Sequence, residues 1–372
     1  MRILTVFGTR PEAIKLAPVI RELQRRSAAD QRAALICVTA QHREMLDQVL
    51  RLFGIVPDFD LDIMADDQTP SQVASSILAR LEPVLRQVAP DWVLVQGDTT
   101  TVAAASLAAF YARARVAHVE AGLRTHDKWQ PFPEEINRKV ATAIADLHFA
   151  PTERSRLNLL REGVPADQIL VTGNPVIDAL HWVAAQPFDL GTLGLPAEAL
   201  PSAGSRLILV TAHRRENLGR PLQEICLALR TLAARYAGRL HMVYPVHRNP
   251  SVWEPVHRLL GDTPGITLLP PLDYLPWVQL MKHACLVLTD SGGIQEEAPG
   301  LGVPVLVLRE VTERPEAVEA GTARLVGTDR ERIVAETVHL LEDTTAYEQM
   351  ARAVNPYGDG HAAERIVEAL WP

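Results

Sequence analysis

Short apolar runs recur along the whole chain, each stopping at a glycine or polar residue and each followed by a longer amphipathic stretch. Few folds accommodate that rhythm. Arg2–Phe7, Leu35–Thr39, Trp92–Gln96 and Val116–Val119 make a first series. Leu207–Thr211, His241–Pro245, Ile266–Leu269, Cys285–Thr289 and Val305–Leu308 make a second. The stretches between them read as helices, among them Pro11–Arg25, with proline in its first turn, and the alanine-rich Thr101–Ala112. Strands that are apolar at nearly every position suit a sheet covered on both faces, and strand–helix alternation makes that sheet parallel. The expected fold class is therefore α/β: two doubly wound Rossmann-like domains with an interdomain cleft. A proline-dotted segment at 187–204 follows the motif VTGNPVIDAL and puts the boundary near Gly173–Val176. Residues 1–174 are expected to form an N-terminal domain and 175–356 a C-terminal one. In 357–372, His361–Leu370 reads as a helix that packs back on the N-terminal domain.

A chain of 372 residues suffices for two such domains. Its net charge of −8 argues against a nucleic-acid surface, while leaving room for local arginine clusters that hold phosphates. Three well-separated cysteines exclude a disulfide framework and a cysteine-rich metal site. The opening MRILTVFGTRPEAIKLAP lacks the pattern of a secretory leader, and no stretch approaches the roughly 18 apolar residues of a membrane span. A cytoplasmic protein without membrane association is expected.

Ligands of open parallel sheets bind beyond the carboxyl ends of the strands, so the polar residues that follow strands are the candidates. Arg10 follows VFGT, Asp98 follows WVLVQG, Glu120 follows VAHV, His213 follows LVTA, and Asp290-Ser291-Gly292-Gly293 follows LVLT. A helix cap or solvated turn explains any one of these; five of mixed charge point to a ligand. The Ser291–Gly293 turn, entering a helix, offers backbone N–H groups and close approach to a diphosphate, or is simply a tight turn. Glu296 and Glu297, one turn on, would hold ribose hydroxyls or sit in solvent. Arg10, Arg214, Arg215 and Arg314 carry guanidinium forks suited to phosphate oxygens. Asp98, Glu120 and Glu134, with His213, suit general acid–base work or stabilisation of a cationic sugar ring. The same acids would equally serve as caps or balance Arg124 and Arg138. No metal-ligand spacing appears, so no metal is expected. His247 follows a strand, Trp277 is able to stack on a base or fill a core, His118 reads as a core residue, and His42 opens a helix as cap or ligand contact.

The segments FGTRPEAIKLAPV, QHREMLDQ, GDTTT, HVEAGLRT, PFPEEINR, GNPVIDAL, TAHRREN and DSGGIQEEAP, followed by TERPEA, occur together and in order. The set resembles the non-hydrolysing UDP-N-acetylglucosamine 2-epimerases of bacteria over nearly the whole chain. The resemblance implies a glycosyltransferase-B type fold with UDP held mainly by the second domain. It implies interconversion of UDP-GlcNAc and UDP-ManNAc without a cofactor, for cell-surface polysaccharide synthesis, by a homodimer. Asp98, Glu120 and Glu134 would be the catalytic acids, with His213 beside the diphosphate. Arg10, Lys15, Arg214, Ser291, Gly292, Gly293, Glu297 and Arg314 would bind UDP or sugar, and Trp277 stands where relatives often have Phe against the uracil. In many relatives a second UDP-GlcNAc activates the enzyme through residues near Gln41 and an arginine in the segment after the third strand; in this chain Gln41, His42 and His247 would be the regulatory or second-ligand contacts. Here Asp66 and Asp67 stand where a base is expected and Glu44 replaces an amide, so that regulation is expected to be weak or absent. A hydrolysing epimerase releasing ManNAc, an epimerase of a modified UDP-HexNAc such as a diacetamido uronic acid, a glycosyltransferase and a non-catalytic nucleotide-sugar sensor are the alternatives.

Overall fold

The computed structural model describes residues 1–30, 33–40, 43–65, 67–199 and 206–371, without the side chains of 28–30, 43, 44 and 198. Met1–Ala179 together with Tyr357–Pro372 form one compact unit, and Leu180–Pro356 form the other. The first unit contains β1 (Arg2–Phe7), β2 (Ala33–Val38), β3 (Phe59–Asp60), β4 (Trp92–Gln96), β5 (Arg115–Val119), β6 (Leu147–Ala150) and β7 (Ile169–Val171). Its sheet runs β3-β2-β1-β4-β5-β6-β7 with every pairing parallel. The second contains β8 (Arg206–Thr211), β9 (Leu240–Pro245), β10 (Ile266–Leu269), β11 (Leu286–Thr289), β12 (Val305–Val307) and β13 (Ala323–Leu325), all parallel in the order β10-β9-β8-β11-β12-β13. The fold class is α/β with two doubly wound sheets.

The central strands β1, β4 and β8 are buried at almost every residue, because helices cover both faces. Ile77, Leu81, Val93, Val95 and Ala105 belong to the core of the first sheet, and Ile208, Val210, Leu229, Met242 and Leu288 to that of the second. In each sheet the strand order reverses once, between β1 and β4 and between β8 and β11. Such a reversal opens a crevice at the carboxyl ends of the two strands, because the connecting helices leave to opposite faces. Gly8, which ends β1, is a packing necessity there. A Cβ would sit 1.9 Å from Thr39 Oγ1 and 2.8 Å from Thr101 Oγ1.

Four strands escaped the sequence reading: β3, β6, β7 and β13, of two to four residues each. The first helix runs Arg10–Asp30 rather than stopping near residue 25. The last helix, Ala362–Leu370, packs on the helix Arg10–Asp30 within the first unit. Among the described residues no helix is long and apolar enough to cross a membrane.

Candidate active site

In the first unit, three neighbouring strands end in acids or in the residues that hold them. Glu120 follows β5 with φ +63°, a left-handed conformation that costs a non-glycine residue energy and is kept only where surroundings enforce it. Its carboxylate is almost wholly buried. Lys15 Nζ reaches both oxygens at 2.6 Å, Asn174 Nδ2 donates at 2.9 Å, and Gln96 Nε2 donates from the end of β4. Asn174 is itself fixed, since its N–H donates to Tyr357 O at 2.6 Å, in the segment that returns from the end of the chain. One ammonium and two amide donors hold this carboxylate and restrict its rotation.

Asp98, beyond β4, is held differently. Arg138 donates to its Oδ2 through Nε (3.0 Å) and Nη2 (2.6 Å), and Asn137 Nδ2 donates to its backbone carbonyl at 2.9 Å. Arg138 also donates from Nη1 to Glu135 at 3.0 Å, and the fully buried Glu135 receives the N–H groups of Thr125 and His126, both at 3.1 Å. Glu135 thereby anchors both the guanidinium and the loop leading to the helix Glu134–Ile144. Glu134, the first residue of that helix, is the acid left open: its Oε2 is buried and accepts no hydrogen bond. Glu12 is buried beneath the loop after β1, accepting from Gly8 N (2.9 Å), Thr9 N (2.7 Å) and Thr99 Oγ1 (2.6 Å). Burial pushes its carboxyl pKa up against the pull of those donors. Arg10 starts the helix above it, half-buried.

His118 on β5 and His148 on β6 are register partners, both buried. His118 Nε2 lies 2.7 Å from Gly97 O, next to Asp98. Burial pushes both rings down to about 4. Each leaves Nδ1 without a partner, so His118 is a core residue only half satisfied.

In the second unit, the loops after β8 and β11 meet through Asp290. Its Oδ2 accepts from His213 N (2.8 Å), Arg214 N (2.8 Å) and Asn217 Nδ2 (2.9 Å). The loop His213–Asn217 is thus wrapped on a single buried carboxylate. His213 stacks on the exposed His247, ring centroids 5.3 Å apart and 11° from parallel. Burial holds the His213 pKa down, against the Asp290 carboxylate; His247 and Arg214 lower it further. Arg214 is half-buried and Arg215 exposed. Ser291 N donates to Thr289 Oγ1 at 2.9 Å, which fixes the turn. A Cβ on Gly293 would meet nothing within 4 Å and its φ is −63°, so neither packing nor conformation demands glycine. What glycine leaves there is open approach to the backbone. A Cβ on Gly292 would stand 3.6 Å from Arg214 Nη2, which brings that guanidinium to the turn.

Glu296 and Glu297 are buried rather than solvated. Glu296 receives Arg314 Nε, and Glu297 receives Tyr274 OH at 3.3 Å, one turn before the half-buried Trp277 on the helix Tyr274–His283. The buried Arg309 joins this loop to the first by donating to Glu216. Of the residues expected to contact a second ligand, Gln41 and His42 lie outside the described residues, as do Asp66 and the side chain of Glu44, which were expected to weaken that contact. Asp67 is exposed, with φ +52°.

Sequence reasoning did not single out Glu12, Gln96, Glu135, Asn174 or Arg309. The signal for Asn174 was its place in GNPVIDAL; Glu135 stood beside Glu134, and which of the two acids faces inward is decided by the helix start.

The family described as UDP-N-acetylglucosamine 2-epimerase matches residues 21–371. The UDP-N-acetylglucosamine 2-epimerase of Salmonella typhimurium is 57% identical, covering 100% of this chain and 98% of its own. A crystal structure of UDP-GlcNAc 2-epimerase from Neisseria meningitidis bound to UDP-GlcNAc is similar at 49% identity, with a TM-score of 0.87 over 100% of this chain and 99% of that one. The Methanocaldococcus jannaschii enzyme in complex with UDP-GlcNAc and UDP is similar at 33% identity, with a TM-score of 0.79 over 100% and 99%. Two doubly wound sheets, carboxylates caged at the strand ends of one, an open glycine turn beside basic loops in the other, and end-to-end identity of this size lead to one conclusion: the chain belongs to the UDP-N-acetylglucosamine 2-epimerase family.

Proposed function

We propose that this protein interconverts UDP-GlcNAc and UDP-ManNAc by eliminating UDP to give 2-acetamidoglucal and adding it back, without hydrolysing the intermediate. The hydrogen on C2 of an intact sugar is too weakly acidic for a carboxylate to remove. When the C1–O bond breaks and its electron pair leaves with UDP, the ring gains oxocarbenium character and that proton becomes labile. Its loss gives the glycal; protonation from the other face, with UDP returning to C1, gives the epimer.

Each part of the reaction asks for a residue type found in this chain. The leaving diphosphate needs cations and open N–H groups, in the roles of Arg10, Arg214, Arg314 and the Ser291–Gly293 turn. The ring cation needs fixed negative charge, and Glu120, immobilised by Lys15, Gln96 and Asn174, is suited to that. Proton transfer at C2 needs carboxylates that keep an available oxygen. Glu134 has one in Oε2, and Asp98 has only Oδ2 engaged by Arg138. In this reading Trp277 lies against the base and Glu297 against the ribose, and exclusion of water protects the glycal.

The observation that carries the proposal is the contrast among the three acids, on a chain 49% identical along its length to a protein whose structure holds UDP-GlcNAc. Incubation with UDP-GlcNAc in deuterated water tests it. The expected product is UDP-ManNAc with deuterium at C2. Unlabelled epimer overturns the elimination route, and free ManNAc with stoichiometric UDP overturns the non-hydrolysing assignment.

A further inference from the structure

Asp290 has a second oxygen that the fold leaves unused. Oδ2 accepts three hydrogen bonds, but Oδ1, equally buried, accepts none. A buried carboxylate oxygen without a donor is uncommon and costly, and calls for a partner. The cation-forming group nearest to it is the ring of His213, whose Nδ1 is 3.6 Å away, slightly beyond hydrogen-bond length. The same Nδ1 is 3.3 Å from Thr211 Oγ1.

We infer that Asp290 is a positioning residue for His213: it keeps the proton of the neutral ring on Nδ1 and steadies the imidazolium that forms when Nε2 takes a second proton from solvent. The argument is electrostatic. A deprotonated Nδ1 would point its lone pair at an anionic oxygen in a water-poor site, where repulsion is strong. A protonated Nδ1 faces Oδ1 and Thr211 Oγ1, both able to accept. Nε2 is then a free acceptor in the neutral ring and a donor in the charged one. The other groups facing the ring act in the opposite direction. His247 is stacked parallel to it and Arg214 adds positive charge, so Asp290 alone favours the second proton until an anion arrives. This extends the reading in which His213 faces a diphosphate, and rests on it only for the ligand at Nε2. The pairing of Asp290 with Nδ1 stands on the geometry within one unit.

The test is ¹⁵N NMR of the imidazoles in the whole chain, with His213 assigned through His213→Gln. The expected result is the Nδ1–H tautomer, inverted to Nε2–H in Asp290→Asn, where an amide N–H turns toward Nδ1. The protonation midpoint should fall by about one unit or more in that variant, because the opposing charge is gone. A native Nε2–H tautomer overturns the inference, and so does an Asp290→Asn protein with tautomer and midpoint unchanged. Thr211→Val decides the matter if Asp290→Asn does not fold. Retention of Nδ1–H supports the role of Asp290, and a switch to Nε2–H overturns it. Added UDP separates the two readings: a native Nδ1–H tautomer with no response to UDP leaves Asp290 in its role and removes the diphosphate from His213.

Discussion

Replacing Lys15 with methionine removes the ammonium that sits 2.6 Å from both oxygens of Glu120 and leaves a chain of similar length. The Glu120 side chain is 4% exposed, so water is poorly placed to take over the charge, while the Gln96 and Asn174 amides still donate to it. Taking one partner from a buried ion pair costs about 3–5 kcal/mol. Lys15 is itself 19% exposed, which places the loss near the lower end, about 3 kcal/mol. Glu120→Gln alone strands the ammonium less severely, because Lys15 retains some contact with solvent. Lys15→Met with Glu120→Gln removes both charges and should be less destabilised than the sum of the single variants, by roughly 1.5 kcal/mol or more. Hydrogen–deuterium exchange of peptides from β1, β4 and β5 reads the opening free energy of this unit alone. A Lys15→Met protein within about 1 kcal/mol of the parent, or a cycle additive within about 0.5 kcal/mol, would refute the claim that the ion pair holds Glu120 in place.

Glu134 and Asp98 should separate in stability while both lose turnover. Glu134→Gln sacrifices no hydrogen bond at Oε2, so urea unfolding should move by no more than about 0.5 kcal/mol while kcat falls roughly 100-fold or further. Asp98→Asn gives up a charge-assisted contact with Arg138 and should cost about 1.5–3 kcal/mol in the same unfolding assay; equal costs for the two would contradict the described contacts. The buried histidines predict acid sensitivity. The folded-state pKa of His148 is pushed down to about 4 from 6.5, so the unfolded chain binds more protons between those values. Its contribution is present above pH 6.5 and is lost as the pH falls toward 4, about 3 kcal/mol for a full shift of that size. His148→Leu should flatten unfolding free energy against pH in that window; an unchanged slope would show that the ring does not titrate with unfolding.

Much of the candidate site was legible because polar residues in this fold class collect where apolar strands stop. Asp98, Glu120, His213 and the Ser291–Gly293 turn could be marked from the polarity switch alone. The edge strands β3, β7 and β13 could not, since FD, ILV and ARL are fragments of two or three residues with no distinct apolar run around them. Nor could the inner acids. Glu12 and Glu135 look like surface residues of helix first turns, and only the hydrogen bonds they receive from loops reveal that they are structural anchors.

The sequence by itself determined the strand–helix alternation, the two sheets and the residue types at their carboxyl ends, because those follow from local polarity and spacing. The tertiary structure alone decided which charge answers which: Lys15 to Glu120 across 105 residues, Arg138 to Asp98 across 40, and Asp290 to the backbone of His213 across 77. The physical reason is that a carboxylate's working state depends on desolvation and on the donors within about 3 Å of it, and those neighbours are chosen by strand order and packing rather than by proximity along the chain.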